Sequence, residues 1–295
     1  MKLSIVVIFY DMKREAERTL YSLSDRYQEN VDGSDWEVIA IDNGSTEAIG
    51  EEIVKKYGEH WTYIYNQTSS VSPCAAINHG VRKALGRYVA ISIDGARMMS
   101  PGMLFYMLKS LQLFEHSLVC SLGWHLGPHV QNVAVEEGYD QKVEDQLLEN
   151  IDWADNGYEL FSVSSLAPSS GRGFFDCISE SGFFALSISD FWELGGYEER
   201  FSAPGGGRAN IDFYKRAVES PKINVVHLLG EGTFHQFHGG VTTNVPRHLH
   251  PRKKNLEEYE SIRGQAYKKP RPKVTFIGHM PAQARRFVFS QGLID

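Results

Sequence analysis

Over the first hundred residues, short apolar runs alternate with stretches in which apolar positions recur every three or four residues. Leu3 to Phe9 is apolar apart from Ser4 and rich in β-branched residues, the pattern of a strand covered on both faces. Ala16, Leu20, Leu23 and Tyr27 then fall at helical spacing with charges between them. Trp36 to Ile41 predicts a second strand, and Ile49, Ile53, Val54 and Tyr57 a second helix. Trp61 to Tyr65 predicts a third strand and Ala75 to Leu85 a third helix; Tyr88 to Ile93 follows as a fourth strand that closes on Asp94-Gly95. Strand and helix in strict alternation predict an α/β fold, its sheet mostly parallel and flanked by helices.

Beyond residue 100 the alternation loosens. Met103 to Phe114 is a strongly apolar helix and Ser117 to Leu122 a strand, but residues 123–173 mix aromatics, acids, Gly and Ser around one amphipathic helix near Val143 to Ile151. Regular patterning resumes at Phe183 to Leu186. A glycine run, Gly205 to Gly207, leads to a helix carrying Ile211, Tyr214, Ala217 and Val218, and Ile223 to Leu228 is a last strand. It opens into a loop bracketed by glycines, Gly230 to Gly240, that holds His235 and His238.

Charge adds one feature to this plan. The net charge of −7 over 295 residues conceals a basic end: from Arg247 onward there are 11 Lys/Arg against 4 Asp/Glu. Such a tail can pack on the acidic body, or make peripheral contact with an anionic membrane. Its Leu256, Tyr259, Ile262, Phe287, Val288 and Phe289 are apolar enough to pack. Basic residues are not interleaved with aromatics in a nucleic-acid motif, so nucleic acid is not expected as a partner. No run of 18 apolar residues predicts a spanning helix. Cys74, Cys120 and Cys177 are odd in number and lack metal-type spacing, which predicts reduced thiols and a cytoplasmic protein.

Four groups of residues carry candidate chemistry. Asp42, at a strand end before Asn43-Gly44-Ser45-Thr46, could accept a hydrogen bond from a nucleobase or ribose; the same pattern also makes a plain turn and helix cap. Asp94 sits where ligands bind in open α/β sheets and could hold a cation and a diphosphate, although Asp-Gly is also an ordinary turn signal. His235 and His238, three apart, could share one metal, or one of them could serve with Asp94. The Gly205 to Gly207 run matches neither a phosphate loop nor a dinucleotide fingerprint, which argues against kinase and dehydrogenase activity.

Taken together in this order, several segments resemble the family-2 glycosyltransferases, inverting enzymes of the GT-A fold. They are Leu3 to Asp11, Ile39 to Thr46, Ala75 to Val89 with the Asp94 strand end, and Gly195-Gly-Tyr-Glu-Glu-Arg-Phe201. The resemblance implies a transferase domain over residues 1–245, with a nucleotide-binding half at 1–100 and an acceptor-binding half at 101–245. Residues 246–295 would form a basic, helical extension. It implies a nucleotide-diphosphate sugar as donor and a glycan or small molecule as acceptor. Phe9, Tyr10, Asp11, Asp42, Asn78 and Asp94 would line the nucleotide site. Asp94 would correspond to the first carboxylate of the family's Asp-x-Asp motif, with His238, or His235 in reserve, completing a Mn²⁺ or Mg²⁺ site. Polysaccharide synthesis at the inner face of a membrane is the implied setting, and an oligomer is compatible with it.

Two positions depart from that pattern. The second motif carboxylate is Ala96, and the family's helix-start Glu-Asp pair falls on Ala209 and Asn210. An amide cannot take up a proton at neutral pH, which leaves Asp212 or Glu180 as the general base. A degenerate transferase that binds nucleotide-sugar without turnover is the rival expectation.

Overall fold

The structure is a computed structural model and describes residues 1–288; Phe289 and the rest of the C-terminus lie outside the described residues. The first half follows the sequence pattern closely. Leu3–Phe9 (β1), Lys13–Ser22 (α1), Trp36–Asp42 (β2), Glu51–Tyr57 (α2), Thr62–Tyr65 (β3), Cys74–Lys83 (α3) and Tyr88–Ser92 (β4) succeed one another with parallel pairing of β1 to β2 and β4, and of β2 to β3. Residue parity along β1 divides two cores. Val6 and Ile8 face one that includes Ile77 and Val81 of α3, while Leu3, Ile5, Val7 and Phe9 face another that includes Ala16 and Leu20 of α1. Both faces of the sheet are therefore covered, which is why these strands read as unbroken apolar runs.

The second half contains Arg97–Met99 (β5), Met103–Leu113 (α4), Ser117–Leu126 (β6), Gln131–Ala134 (α5), Gln141–Glu149 (α6), Ser164–Leu166 (β7), Phe183–Ser187 (β8), Ile188–Glu193 (α7), Ala209–Glu219 (α8) and Asn224–His235 (β9). The main sheet runs β10-β9-β6-β8-β4-β1-β2-β3, where β10 is Val274–Gly278, and it is antiparallel where β8 pairs β4 and β6.

The last long strand differs from its expected form. The pattern ends at Leu228, yet β9 continues to His235 through a bulge where its register against β6 jumps between Cys120 and Leu122. Gly230 permits the bulge: its φ is +71°, and a Cβ there would lie 1.9 Å from the His279 carbonyl oxygen. His235 therefore stands at a strand end rather than in an open glycine loop. Its neighbours across the sheet are Arg97 on β5 and His125 on β6.

The basic C-terminal segment does not stand apart from the body. Arg252–Arg263 (α9) is tied to α8 by Arg263, and β10 extends the sheet parallel to β9. Phe287 packs against Trp124 and Phe161. Tail-on-body packing is thus the arrangement of residues 252–288. Among the described residues, no helix is long and apolar enough to cross a membrane.

Candidate metal and nucleotide-sugar site

Asp94 lies two residues beyond β4, at the carboxyl edge of the parallel strands. Its Oδ1 accepts the Ala96 N–H (3.0 Å), and its backbone carbonyl accepts the Ser92 hydroxyl, so the turn presents Oδ2 outward. Gly95 is required by close approach, since a Cβ there would meet the Phe9 ring at 2.3 Å. The His235 Nε2 lies 2.8 Å from Asp94 Oδ2, and His238 Nε2 lies 3.8 Å from the same oxygen. One ligand atom from each of the three residues falls within 4.8 Å of the others. Arg97 reaches to 3.7 Å from Oδ2.

The His235 tautomer is set by an amide on a distant element. Gln131 Nε2 donates to the His235 carbonyl (3.0 Å), which fixes the amide and leaves Oε1 as acceptor. That oxygen accepts from Asn244 Nδ2 (2.9 Å) and stands 2.6 Å from His235 Nδ1. Nδ1 therefore carries the proton, and Nε2 presents a lone pair to Asp94. Nε2 is buried and has no hydrogen-bond partner. Burial pushes the His235 imidazole down to about 4, with Asp94 opposing, so the ring is neutral at pH 7. Burial works against the charge on Asp94, but positive charge beside it, Arg97 included, holds its carboxyl well below the usual range. With His235 neutral, Arg97 is the permanent positive charge beside it.

A lone pair facing an ionised oxygen is a poor contact for an empty pair and a good one for two ligands of a cation. The donor set of one carboxylate oxygen and two imidazole nitrogens fits a divalent metal of the first transition row. The supporting residues fit as well. Asn244 Oδ1 accepts the N–H groups of His238 and Gly240, Glu144 on α6 accepts the Phe237 N–H, and Gln236 Nε2 bonds Glu15 and Thr19 of α1. The strand end and following turn that bear the two histidines are thereby held from three directions. Ala96, standing where a second carboxylate would be expected, is fully buried, and the two histidines are the groups that could stand in for it.

Beside this cluster lies a cleft of about 220 Å³ lined by Arg97, His125, Glu180, Arg208, His250 and Arg252 among others. His125 Nδ1 accepts the Gln131 N–H (3.0 Å), so its Nε2 carries the proton; burial, with His235 and Arg97, holds the ring neutral. Glu180 Oε2 accepts from Asn210 Nδ2 (2.8 Å), while Asn210 also bonds Tyr197 and Ser181. The amide thus occupies one oxygen of Glu180 and aims it.

The remaining expected site residues divide. Tyr10 is 47% exposed, and Asp11 is exposed with φ +49°, accepting the Thr46 N–H (2.7 Å); both lie on the rim at the end of β1. Phe9 corrects the expectation: its ring is fully buried and packs beneath the Asp94 turn, so it supports the site from below. Asp42 is also a correction. It is fully buried, and its two oxygens accept the N–H groups of Ser45 and Ile49, which makes it the turn and cap that its sequence equally allowed. Asn78 is a third: its amide bonds Tyr197 N–H and C=O and Glu199, latching α3 to the glycine turn before Tyr197. Asp212 is the fourth. It is 2% exposed and gripped by Arg263 at both oxygens (2.6 Å each) and by Arg216 (2.9 Å), so it has no oxygen open to an acceptor. Arg97, His125, Gln131 and Asn244 were not singled out from sequence; only Arg97, three residues past Asp94, stood within a motif already marked.

Residues 4–122 match the model of glycosyl transferase family 2. Over those residues the chain is similar to that family. Its GT-A architecture is shared with solved relatives: S. aureus TarS superposes with a TM-score of 0.54 at 13% identity, covering 80% of this chain and 37% of TarS. A Pyrobaculum calidifontis mannosyltransferase, solved with GDP-Man and Mn²⁺, gives 0.54 at 15% identity over 91% of this chain and 66% of that one. A putative polypeptide N-acetylgalactosaminyltransferase 10 of Caenorhabditis briggsae is 29% identical over 98 residues, 31% of this chain and 16% of that protein. The chain spans under two thirds of the length of each of these proteins.

Proposed function

We propose that this protein transfers a sugar from a nucleoside-diphosphate sugar to an acceptor hydroxyl, with inversion at the anomeric carbon, in the building of a glycan. The observation that carries the reading is the His235 tautomer: Gln131 forces a buried lone pair toward Asp94 at the mouth of the parallel strands. Asp94, His235 and His238 would hold a divalent cation. One oxygen and two nitrogens favour Mn²⁺ over Mg²⁺, which prefers oxygen ligands and water. Such a cation, when bound, neutralises charge growing on the departing diphosphate.

The chain's own residues would do the rest. Arg97 adds fixed positive charge beside Asp94 on the cleft wall, where the diphosphate oxygens would lie. His125 offers its Nε2–H as a neutral donor to the same cleft. Glu180 takes the proton of the acceptor hydroxyl; Asn210, standing where the family places its base, holds Glu180 by one oxygen and leaves the other open. Transfer needs that oxygen within about 3 Å of the hydroxyl. Tyr10 and Asp11 are placed to meet the nucleoside. The solved relatives include TarS with UDP and with UDP-GlcNAc and the mannosyltransferase with GDP-Man, so the base of the donor is left open between uracil and guanine.

A thermal-shift panel of UDP, GDP and ADP with and without Mn²⁺ tests the site, because a ligand that binds only the folded chain raises its midpoint. A Mn²⁺-dependent shift by one diphosphate is expected; no shift by any of them would end the transferase reading. Ala96 and Asn210 favour a second reading, a donor-binding protein without turnover. Release of nucleoside diphosphate on adding acceptor excludes it.

A further inference from the structure

We propose that the acceptor is anionic, its phosphate or carboxylate group seated in the cleft by Arg208 and Arg252. The word acceptor rests on the transferase reading; the anion site does not. The cleft gathers three arginines and two histidines against a single carboxylate, Glu180, in a chain whose net charge is −7. Among the described residues some arginines are ion-paired, as Arg14 and Arg18 are with Asp145 and Arg216 and Arg263 with Asp212, while others, such as Arg82, Arg87 and Arg286, lie over aromatic rings without an ion pair. Arg97 has Asp94. Among the described residues, the side chains of Arg208 and Arg252 form no ion pair and no hydrogen bond.

Arg208 is the more telling of the two. Its guanidinium lies 4.9 Å from the Tyr267 ring centroid, so one face is covered while the N–H edge remains. Its Nη1 is buried without a hydrogen-bond partner. Burial lowers its pKa, with Tyr267 and Glu180 opposing and Arg252 adding to the strain. A partly desolvated cation with a buried, unused donor, next to a second cation, is costly unless an anion completes it. A neutral sugar hydroxyl could fill the hydrogen bond but not the charge. The fork of an arginine matches a phosphate or carboxylate in two parallel bonds. The donor's diphosphate would be met by Asp94, His235 and His238 beside the cleft and by Arg97 on its wall, which leaves Arg208 and Arg252 for a different anion.

The test titrates the full chain, saturated with nucleoside diphosphate and Mn²⁺, with glucose 6-phosphate, glucuronate and glucose, read by calorimetry. At least one charged sugar should bind and glucose should not, the two charged arms separating phosphate from carboxylate. Arg208→Gln should weaken the charged sugar by about tenfold or more, the scale of one lost charge-assisted hydrogen bond. Nucleoside diphosphate affinity should change by less than about twofold, as for independent sites. Arg252→Gln, at an exposed position, gives the same reading if Arg208→Gln does not fold. Equal binding of glucose, no binding of either charged sugar, or loss of nucleoside diphosphate in place of the sugar overturns the proposal. If no nucleoside diphosphate binds the wild type, the transferase reading fails, and titration with inorganic phosphate alone still decides whether Arg208 and Arg252 hold an anion.

Discussion

Asp94 and Asp212 are both aspartates with arginine and distant partners around them, and they serve opposite ends. Arg263 and Arg216 occupy both oxygens of Asp212 at 2.6–2.9 Å and bind the C-terminal helix α9 to α8. Around Asp94 nothing closes: Arg97 stays 3.7 Å away, His235 turns a lone pair toward it, and 19% of its side chain remains exposed. A saturated carboxylate is a joint. An unsaturated one, kept ionised among oriented groups, is a site for something that is not part of the chain.

The largest effect that could break this contrast is on turnover. Asp94→Asn should lower sugar transfer by roughly 10²-fold or more, the scale of losing one preorganised electrostatic group, while the thermal midpoint stays near that of the wild type. Asp212→Ala should do the reverse. It strands two partly buried arginines and should cost roughly 3–5 kcal/mol of stability, seen in denaturant unfolding and in faster amide exchange of α9. If Asp212→Ala abolished transfer in a stably folded protein, the contrast would be wrong.

A third buried acid sharpens the point by pH. Glu231, in the β9 bulge, receives the Ser100 and Tyr158 hydroxyls, yet burial raises its carboxyl to about 8 against 4.5 for the ordinary group. Between those values the folded chain holds a proton that the unfolded chain has released. Stability from this group is therefore full below about pH 4.5 and falls as pH climbs to 8. Glu231→Gln should flatten that fall, by roughly 2–3 kcal/mol at pH 9, measured by urea unfolding across pH. The smallest effect is expected behind the metal ligands. Gln131→Leu frees the His235 tautomer and should weaken Mn²⁺ binding by about tenfold, followed by the Mn²⁺ spin signal on titration; unchanged affinity would remove Gln131 from the site.

The strands β1, β2 and β4 were legible because burial on both faces writes itself into consecutive β-branched residues, and that signal is local. Asp94 was legible for the same reason, as the acid on which such a strand closes. His235 was half legible: the glycines marked the segment, but they make the bulge that carries β9 onward rather than an open loop. The sequence by itself thus determined the alternating α/β plan and a short set of candidate acids and imidazoles. Only the tertiary structure decided among them. Asp42 and Asp212 drop out because backbone N–H groups and arginines fill their oxygens, and Asp94 stays in because its partners leave one open. Those partners lie far away in the chain, Gln131 104 residues from His235 and Arg263 51 from Asp212, and hydrophobic periodicity carries no information over such distances. Whether a carboxylate is a joint or a site depends on who fills its lone pairs, and the fold alone brings those groups together.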